Sequence, residues 1–266
     1  MKIGFIGTGN MGGALARAAA KGGHTLLLAN RTPAKAAVLA KELGGTVCQN
    51  AEAAETAELL FLGVKPQGLP GLAGELAPVL QARKGNAPVV VSMATAVTLR
   101  ELDAMLGGGL PLIRIMPNTP AAVGAGTILY AAQNVTDAQL DAFRAVLAQA
   151  GLLLPLPEEK IDAASAISGC GPAFCFQFAD ALALGGVRAG LSYPDACRLA
   201  AQTMLGAAEM LLQGGEAPDV LKMRVCSPAG TTIEGVLALE QGGFSYTVQN
   251  AVTAAYRRTV EMTRKG

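Results

Sequence analysis

The chain opens on a short apolar run, Lys2-Ile3-Gly4-Phe5-Ile6, that leads straight into Gly7-Thr8-Gly9-Asn10-Met11-Gly12. The glycines stand at the G-x-G-x-x-G spacing, and a helix-forming stretch follows from Gly13 to Lys21. Few arrangements constrain a fold so tightly, because each glycine has its own task. Gly7 permits the tight strand-to-helix turn, Gly9 lets backbone N–H groups approach a pyrophosphate, and Gly12 lets the helix pack close to the strand. The helix N-terminus then turns its unpaired donors towards the phosphates. In a chain with 33 glycines the spacing alone is weak, but the strand before it and the helix after it favour a dinucleotide site over a plain turn.

The end of the second strand indicates which dinucleotide. His24-Thr25-Leu26-Leu27-Leu28-Ala29 runs into Asn30-Arg31-Thr32, and Asn30 stands eighteen positions beyond Gly12. An NAD site places Asp or Glu near there to accept from the ribose 2′-hydroxyl. No acid is present. Asn30 can donate, and Arg31 offers the planar cationic fork that a 2′-phosphate needs. The pattern predicts NADP(H), with NAD(H) at lower preference.

At 266 residues the chain is long enough for two domains. Its formal net charge of +1 gives no pull towards nucleic acid or an anionic membrane, and a small uncharged or zwitterionic partner suits it better. Hydrophobic residues make up 51% of the chain, yet no uninterrupted apolar run approaches the roughly 18 residues of a membrane helix. The N-terminus carries no export signal pattern. Five cysteines, Cys48, Cys170, Cys175, Cys197 and Cys226, form no C-x-x-C pair and no Cys/His cluster. They read as reduced thiols of a cytoplasmic protein, and no metal is expected. The sole histidine, His24, sits where a helix hands over to a strand, so a mechanism built on a histidine base has little support.

Alternating apolar runs and helical patterns fill the first part, predicting βαβ units and a parallel sheet over residues 1–157. The unbroken run Glu58–Val64 suits a strand covered on both faces, and it ends in Lys65-Pro66 at the carboxyl edge of the sheet. Further strands are predicted at Pro88–Met93, Leu110–Met116, Thr127–Ala131 and Gly151–Leu156. From residue 158 to 266 only Ala- and Leu-rich helical stretches occur, at about Pro172–Ala189, Tyr193–Leu212, Pro218–Val225, Thr231–Leu239 and Ser245–Thr263. Helices so poor in charge cannot all face water, and a second subunit is the natural cover.

Three segments place glycine, proline and hydroxyl residues where a plain scaffold has no need of them. Arg114-Ile115-Met116-Pro117-Asn118-Thr119-Pro120 ends a strand and fixes a loop beside the expected nicotinamide. Ser168-Gly169-Cys170-Gly171-Pro172-Ala173 opens a long helix. Ser227-Pro228-Ala229-Gly230-Thr231-Thr232 opens another, with the makings of an anion nest that holds a carboxylate without arginine. The plainer alternative for each is helix capping by Ser or Thr.

Together with Phe5–Gly12 and Val64-Lys65-Pro66, these segments resemble, in order and along essentially the whole chain, the motif set of the pyrroline-5-carboxylate reductase family. The resemblance implies an α/β Rossmann-type N-terminal domain followed by an all-helical dimerisation domain, with dimers that often assemble into rings. It implies reduction of the ring imine of 1-pyrroline-5-carboxylate to L-proline with NAD(P)H, the last step of proline biosynthesis. Cofactor contacts are implied for Ile6, Gly7, Thr8, Gly9, Asn10, Met11, Asn30, Arg31, Asn50, Val64, Lys65, Pro66 and Asn118. Substrate contacts are implied for Ser168 and for Ser227, Pro228, Ala229, Gly230, Thr231 and Thr232, with the Thr232 hydroxyl facing the ring nitrogen as the catalytic group.

Departures from the family pattern are Cys170 for serine, Phe174 for tyrosine, Thr95-Ala96 for Ala-Gly, and Ala229 for glycine. The last is expected to be tolerable only with a negative φ. Two other readings compete with the reductase. A β-hydroxyacid dehydrogenase would carry a lysine where Cys175 stands, and Pro172–Val187 contains none. A non-catalytic NADP sensor would have no use for the Ser227–Thr232 nest.

Overall fold

In the computed structural model, which describes residues 1–83 and 85–263, the opening apolar run forms β1 (Lys2–Ile6) and the glycine turn leads into α1 (Asn10–Ala20). Then follow β2 (Thr25–Ala29), α2 (Pro33–Leu43), β3 (Thr46–Val47), α3 (Asn50–Thr56) and β4 (Leu59–Leu62). The series continues through α4 (Leu69–Ala82), β5 (Val89–Ser92), α5 (Leu99–Met105) and β6 (Leu112–Pro117). These strands lie in the parallel order β3-β2-β1-β4-β5-β6. The order reverses between β1 and β4, and a doubly wound sheet opens its ligand crevice at such a switch point.

The sequence pattern predicts a parallel sheet, and the structure departs from it at one edge. β7 (Gly126–Gln133) runs antiparallel to β6, and β8 (Gly151–Pro155) pairs parallel with β7 after α6 (Asp137–Leu147). The reason is the connection. Only a short 3-10 turn, Thr119–Val123, joins β6 to β7, whereas a parallel crossover needs about a dozen residues or more.

Central strands are apolar on both sides because helices cover both faces. Leu59, Phe61, Val89 and Val91 enter one core with Leu15 and Phe143, while Leu60, Leu62 and Val90 enter the other with Leu72 and Leu76. Phe5 stacks on Phe61 at 4.6 Å between centroids with planes 9° apart. Each such large side chain removed from water contributes about 1.5–3 kcal/mol, which makes this sheet the rigid frame of the molecule.

A helix absent from the sequence reading, α7 (Glu158–Ser168), packs on β6 and β7. Its anchor is Arg114 of β6, only 3% exposed, which donates to Asp162 at 2.6 Å and to Glu158 at 3.3 Å. Glu158 also accepts from the Leu99 N–H at the start of α5.

Contacts divide the chain into two compact units, one of residues 1–170 together with residues from 256 onward, the other of residues 171–255. The second unit is all helical: α8 (Gly171–Arg188), α9 (Tyr193–Gly214), α10 (Pro218–Arg224), α11 (Thr231–Gln241) and the first part of α12 (Phe244–Thr263). α8 and α9 pack together, and Phe178 lies 5.6 Å from Phe244. Among the described residues of this unit, the fully buried apolar side chains are three alanines, Ala183, Ala196 and Ala200. Phe176, Leu212 and Tyr246 are 69%, 81% and 71% exposed. The helical stretch Glu158–Arg188, which breaks at Gly169-Cys170, even holds an 18-residue window of mean hydropathy 1.3, apolar enough by length and composition to cross a membrane and 6% buried within this chain.

A helical unit with so small a core of its own draws its stability from association. The thermal unfolding midpoint is therefore expected to rise with protein concentration, by roughly 2 °C per tenfold. Calorimetry over a hundredfold range checks this, and a concentration-independent midpoint would show the unit to be self-sufficient.

Candidate active site

The glycine turn is built by backbone approach. Gly7 has φ +97°, and a Cβ there would lie 2.5 Å from the Gly63 carbonyl oxygen at the end of β4. A Cβ on Gly12 would lie 2.1 Å from the Gly7 oxygen. At Gly9 a Cβ would meet nothing, so the space in front of the helix is open. Gly9 caps α1 without any side-chain hydrogen bond, and the first turn holds no acid. An uncapped helix end behind open space is the cradle a pyrophosphate fits.

Two adjoining clefts flank this turn. The first, about 830 Å³, is lined by Ile6, Gly7, Gly9, Asn30, Arg31, Asn50, Val64 and Lys65, together with Thr32, Lys35, Gly63 and Glu75. The second, about 520 Å³, lies over the ends of β4, β5 and β6 and is lined by Gly9, Asn10, Met11, Val64, Lys65 and Pro66, together with Met93, Thr95, Met116 and Pro117.

Asn30 is spent inside the chain. Its Oδ1 accepts the Thr8 N–H at 3.1 Å and its Nδ2 donates to the Thr32 carbonyl at 3.0 Å, which ties the glycine turn to the loop that carries Arg31. Arg31 and Lys35 line the same cleft, and neither forms an ion pair among the described residues. α2 adds its N-terminus, where Thr32 makes no side-chain cap and no acid stands in the first turn. Lys35 is a base in the first turn of α2, against the macrodipole, a pattern readable in the sequence. Asn50 donates to Glu75 at 3.0 Å across the first cleft. Nearby, burial pushes the Cys48 thiol up to about 11, so it stays protonated at neutral pH.

Thr8 keeps its hydroxyl buried with no partner among the described residues. Asn118 lines neither cleft. It is buried, accepts the Thr127 N–H and donates to the Ser168 carbonyl, both at 2.8 Å, and so fastens the loop after β6 to the end of α7. The Ser168 hydroxyl donates back to the Ala164 carbonyl at 3.3 Å.

In the helical unit, the Gly230 N–H donates to the Ser227 carbonyl at 3.0 Å across Pro228-Ala229. Ala229 has φ +56°, not the negative value expected from its side chain. Proline at the first central position and a left-handed residue at the second make a type II turn, and that turn imposes the positive φ whatever residue occupies it. Ala96, on the turn after β5, is likewise at φ +62°. Beyond the turn, Gly230 caps α11 with no side-chain hydrogen bond, so the N–H groups of Thr231 and Thr232 are not capped by Ser or Thr. Glu234 is the acid of that first turn.

A family model described as pyrroline-5-carboxylate reductase dimerisation matches residues 158–262, and one described as NADP oxidoreductase, coenzyme F420-dependent, matches residues 2–96. The pyrroline-5-carboxylate reductase of Synechocystis sp. is 42% identical over 81% of this chain and 79% of its own length. That of Pseudomonas aeruginosa is 37% identical over 98% and 96%. The chain belongs to the pyrroline-5-carboxylate reductase family. Among solved structures, the reductase of Coxiella burnetii superposes with a TM-score of 0.90 at 32% identity over 97% of both chains. The Plasmodium falciparum enzyme, solved with NADP bound, has a TM-score of 0.86 at 30% identity over 99% of this chain and 98% of that one. Family membership makes the chain an NADP-dependent oxidoreductase with a small-molecule substrate and a homo-oligomeric assembly.

The left-handed alanine gives a direct test. Ala229→Gly removes a Cβ clash that costs about 1 kcal/mol, so the variant is expected to unfold later than the parent by roughly that amount, as read by chemical denaturation.

Proposed function

We propose that this protein reduces 1-pyrroline-5-carboxylate to L-proline with NADPH, in the cytoplasm, as a homodimer or a ring of dimers. The reduced nicotinamide, when bound, supplies the hydride. The chain's task is then to hold a small cyclic imine still and to steady its charge. A ring imine near neutral pH is already partly protonated, so position matters more than a strong acid, which suits a chain with one histidine far from these loops in sequence.

The observation that supports this reading best is the open N-terminus of α11 behind the Ser227–Ala229 turn. Successive main-chain N–H groups at a positive helix end bind the substrate carboxylate, with Ser227, Thr231 and Thr232 contributing hydroxyls. Ser168 completes the set implied for the substrate. Thr232 positions the ring nitrogen and relays a proton to it, so that hydride arrives on carbon while nitrogen keeps its proton. α8 offers no lysine base for the competing oxidation of an alcohol.

Thr232→Ala is expected to lower kcat by about ten- to a hundredfold while NADPH affinity, followed by fluorescence, stays at the parent value. An unchanged kcat with pyrroline-5-carboxylate would remove Thr232 from the mechanism. For the cofactor, Arg31 and Lys35 are the 2′-phosphate ligands, and NADH is accepted less well. Arg31→Ala and Lys35→Ala should each weaken NADPH by about tenfold or more and leave NADH little changed, since a charge-assisted bond contributes about 1.5–3 kcal/mol. Equal losses for both cofactors would move the phosphate elsewhere. Light scattering after gel filtration separates dimer from ring.

A further inference from the structure

We propose that the hydroxyl of Thr95 holds the carboxamide of the nicotinamide, an inference that rests on the NADP(H) reading of the two clefts. The apolar side chains of the second cleft are Met11, Val64, Pro66, Met93, Met116 and Pro117. Its polar side chains are Asn10, Lys65 and Thr95. Asn10 and Lys65 are exposed, whereas Thr95 is half-buried on the turn that follows β5. Among the described residues the Thr95 hydroxyl has no hydrogen-bond partner. A ligand ring that displaces water from this hydroxyl loses least when it brings a hydrogen-bond partner of its own.

The ligand's orientation follows from charge. The glycine turn between the clefts takes the pyrophosphate, and the cleft with Arg31 and Lys35 takes the phosphorylated ribose, which leaves the second cleft for the other ring. Nicotinamide is a flat apolar ring with one polar substituent, and that substituent carries both a carbonyl acceptor and N–H donors. A hydroxyl can answer either by rotating about its C–O bond. Ala96, directly after Thr95, is held at φ +62°, so the turn that presents this hydroxyl is kept in a costly conformation. Fixing the carboxamide fixes the rotation of the ring and hence which face it offers.

The test compares NADP⁺ with 2′-phospho-ADP-ribose, the same molecule without its nicotinamide, by calorimetry on the full chain. Thr95→Val keeps the shape and removes the hydroxyl, and Thr95→Ser keeps the hydroxyl. Thr95→Val is expected to weaken NADP⁺ about two- to tenfold and to leave 2′-phospho-ADP-ribose within about twofold, while Thr95→Ser retains parental affinity for both. Unchanged NADP⁺ binding in Thr95→Val overturns the assignment, as does an equal loss for the two ligands or a Thr95→Ser variant as weak as Thr95→Val. Failure of the parent chain to bind NADP⁺ at all would overturn the cofactor reading itself, and the role of Thr95 with it.

Discussion

Backbone passing backbone at Gly7, Gly12 and Gly63 is the constraint on which the N-terminal unit depends. Three elements meet there: the end of β1, the first turn of α1 and the end of β4. Side chains at these positions would collide with main-chain carbonyls, which cannot move without unpairing the sheet. The Gly63 N–H donates to the Ile6 carbonyl at 2.7 Å and the Gly7 N–H to the Ala29 carbonyl at 2.8 Å, so the close approach is locked by the same strands that frame it. The uncapped helix end and the two clefts adjoin this junction.

The two units meet the problem of burial differently. A sheet with helices on both faces closes its own cores, and strands such as Leu59–Leu62 disappear from water on both sides. The helical unit closes almost none. Its alanines bury well but contribute little area, and its larger apolar side chains stand exposed on this chain. A unit of this kind suits a family that associates into homo-oligomers, since association can bury the apolar surface that one chain leaves exposed.

The left-handed non-glycine residues Ala96 and Ala229 lie on the two turns proposed to hold the nicotinamide and the substrate carboxylate. Each costs about 1–2 kcal/mol relative to a relaxed alanine, a load that the rigid sheet and the type II turn sustain. The third such residue, Asn134, is of a type that tolerates the conformation through local hydrogen bonding.

Local chemistry made much of this protein legible in its sequence. The glycine spacing, the unbroken apolar strand before Lys65-Pro66, the missing acid after β2 and the switch to Ala-rich helices each act within a few residues of where they are read. Tertiary structure decided what depends on partners far along the chain. β7 reverses because of a short connection, and α7 is held by Arg114, more than forty residues upstream of its partners. Asn30 serves as a brace because the Thr8 N–H lies within reach, and Asn118 because Ser168 does. The sign of φ at Ala229 belonged to the turn, not to the alanine. Propensity acts locally; pairing direction, bracing and backbone strain are settled only when distant segments are brought into contact.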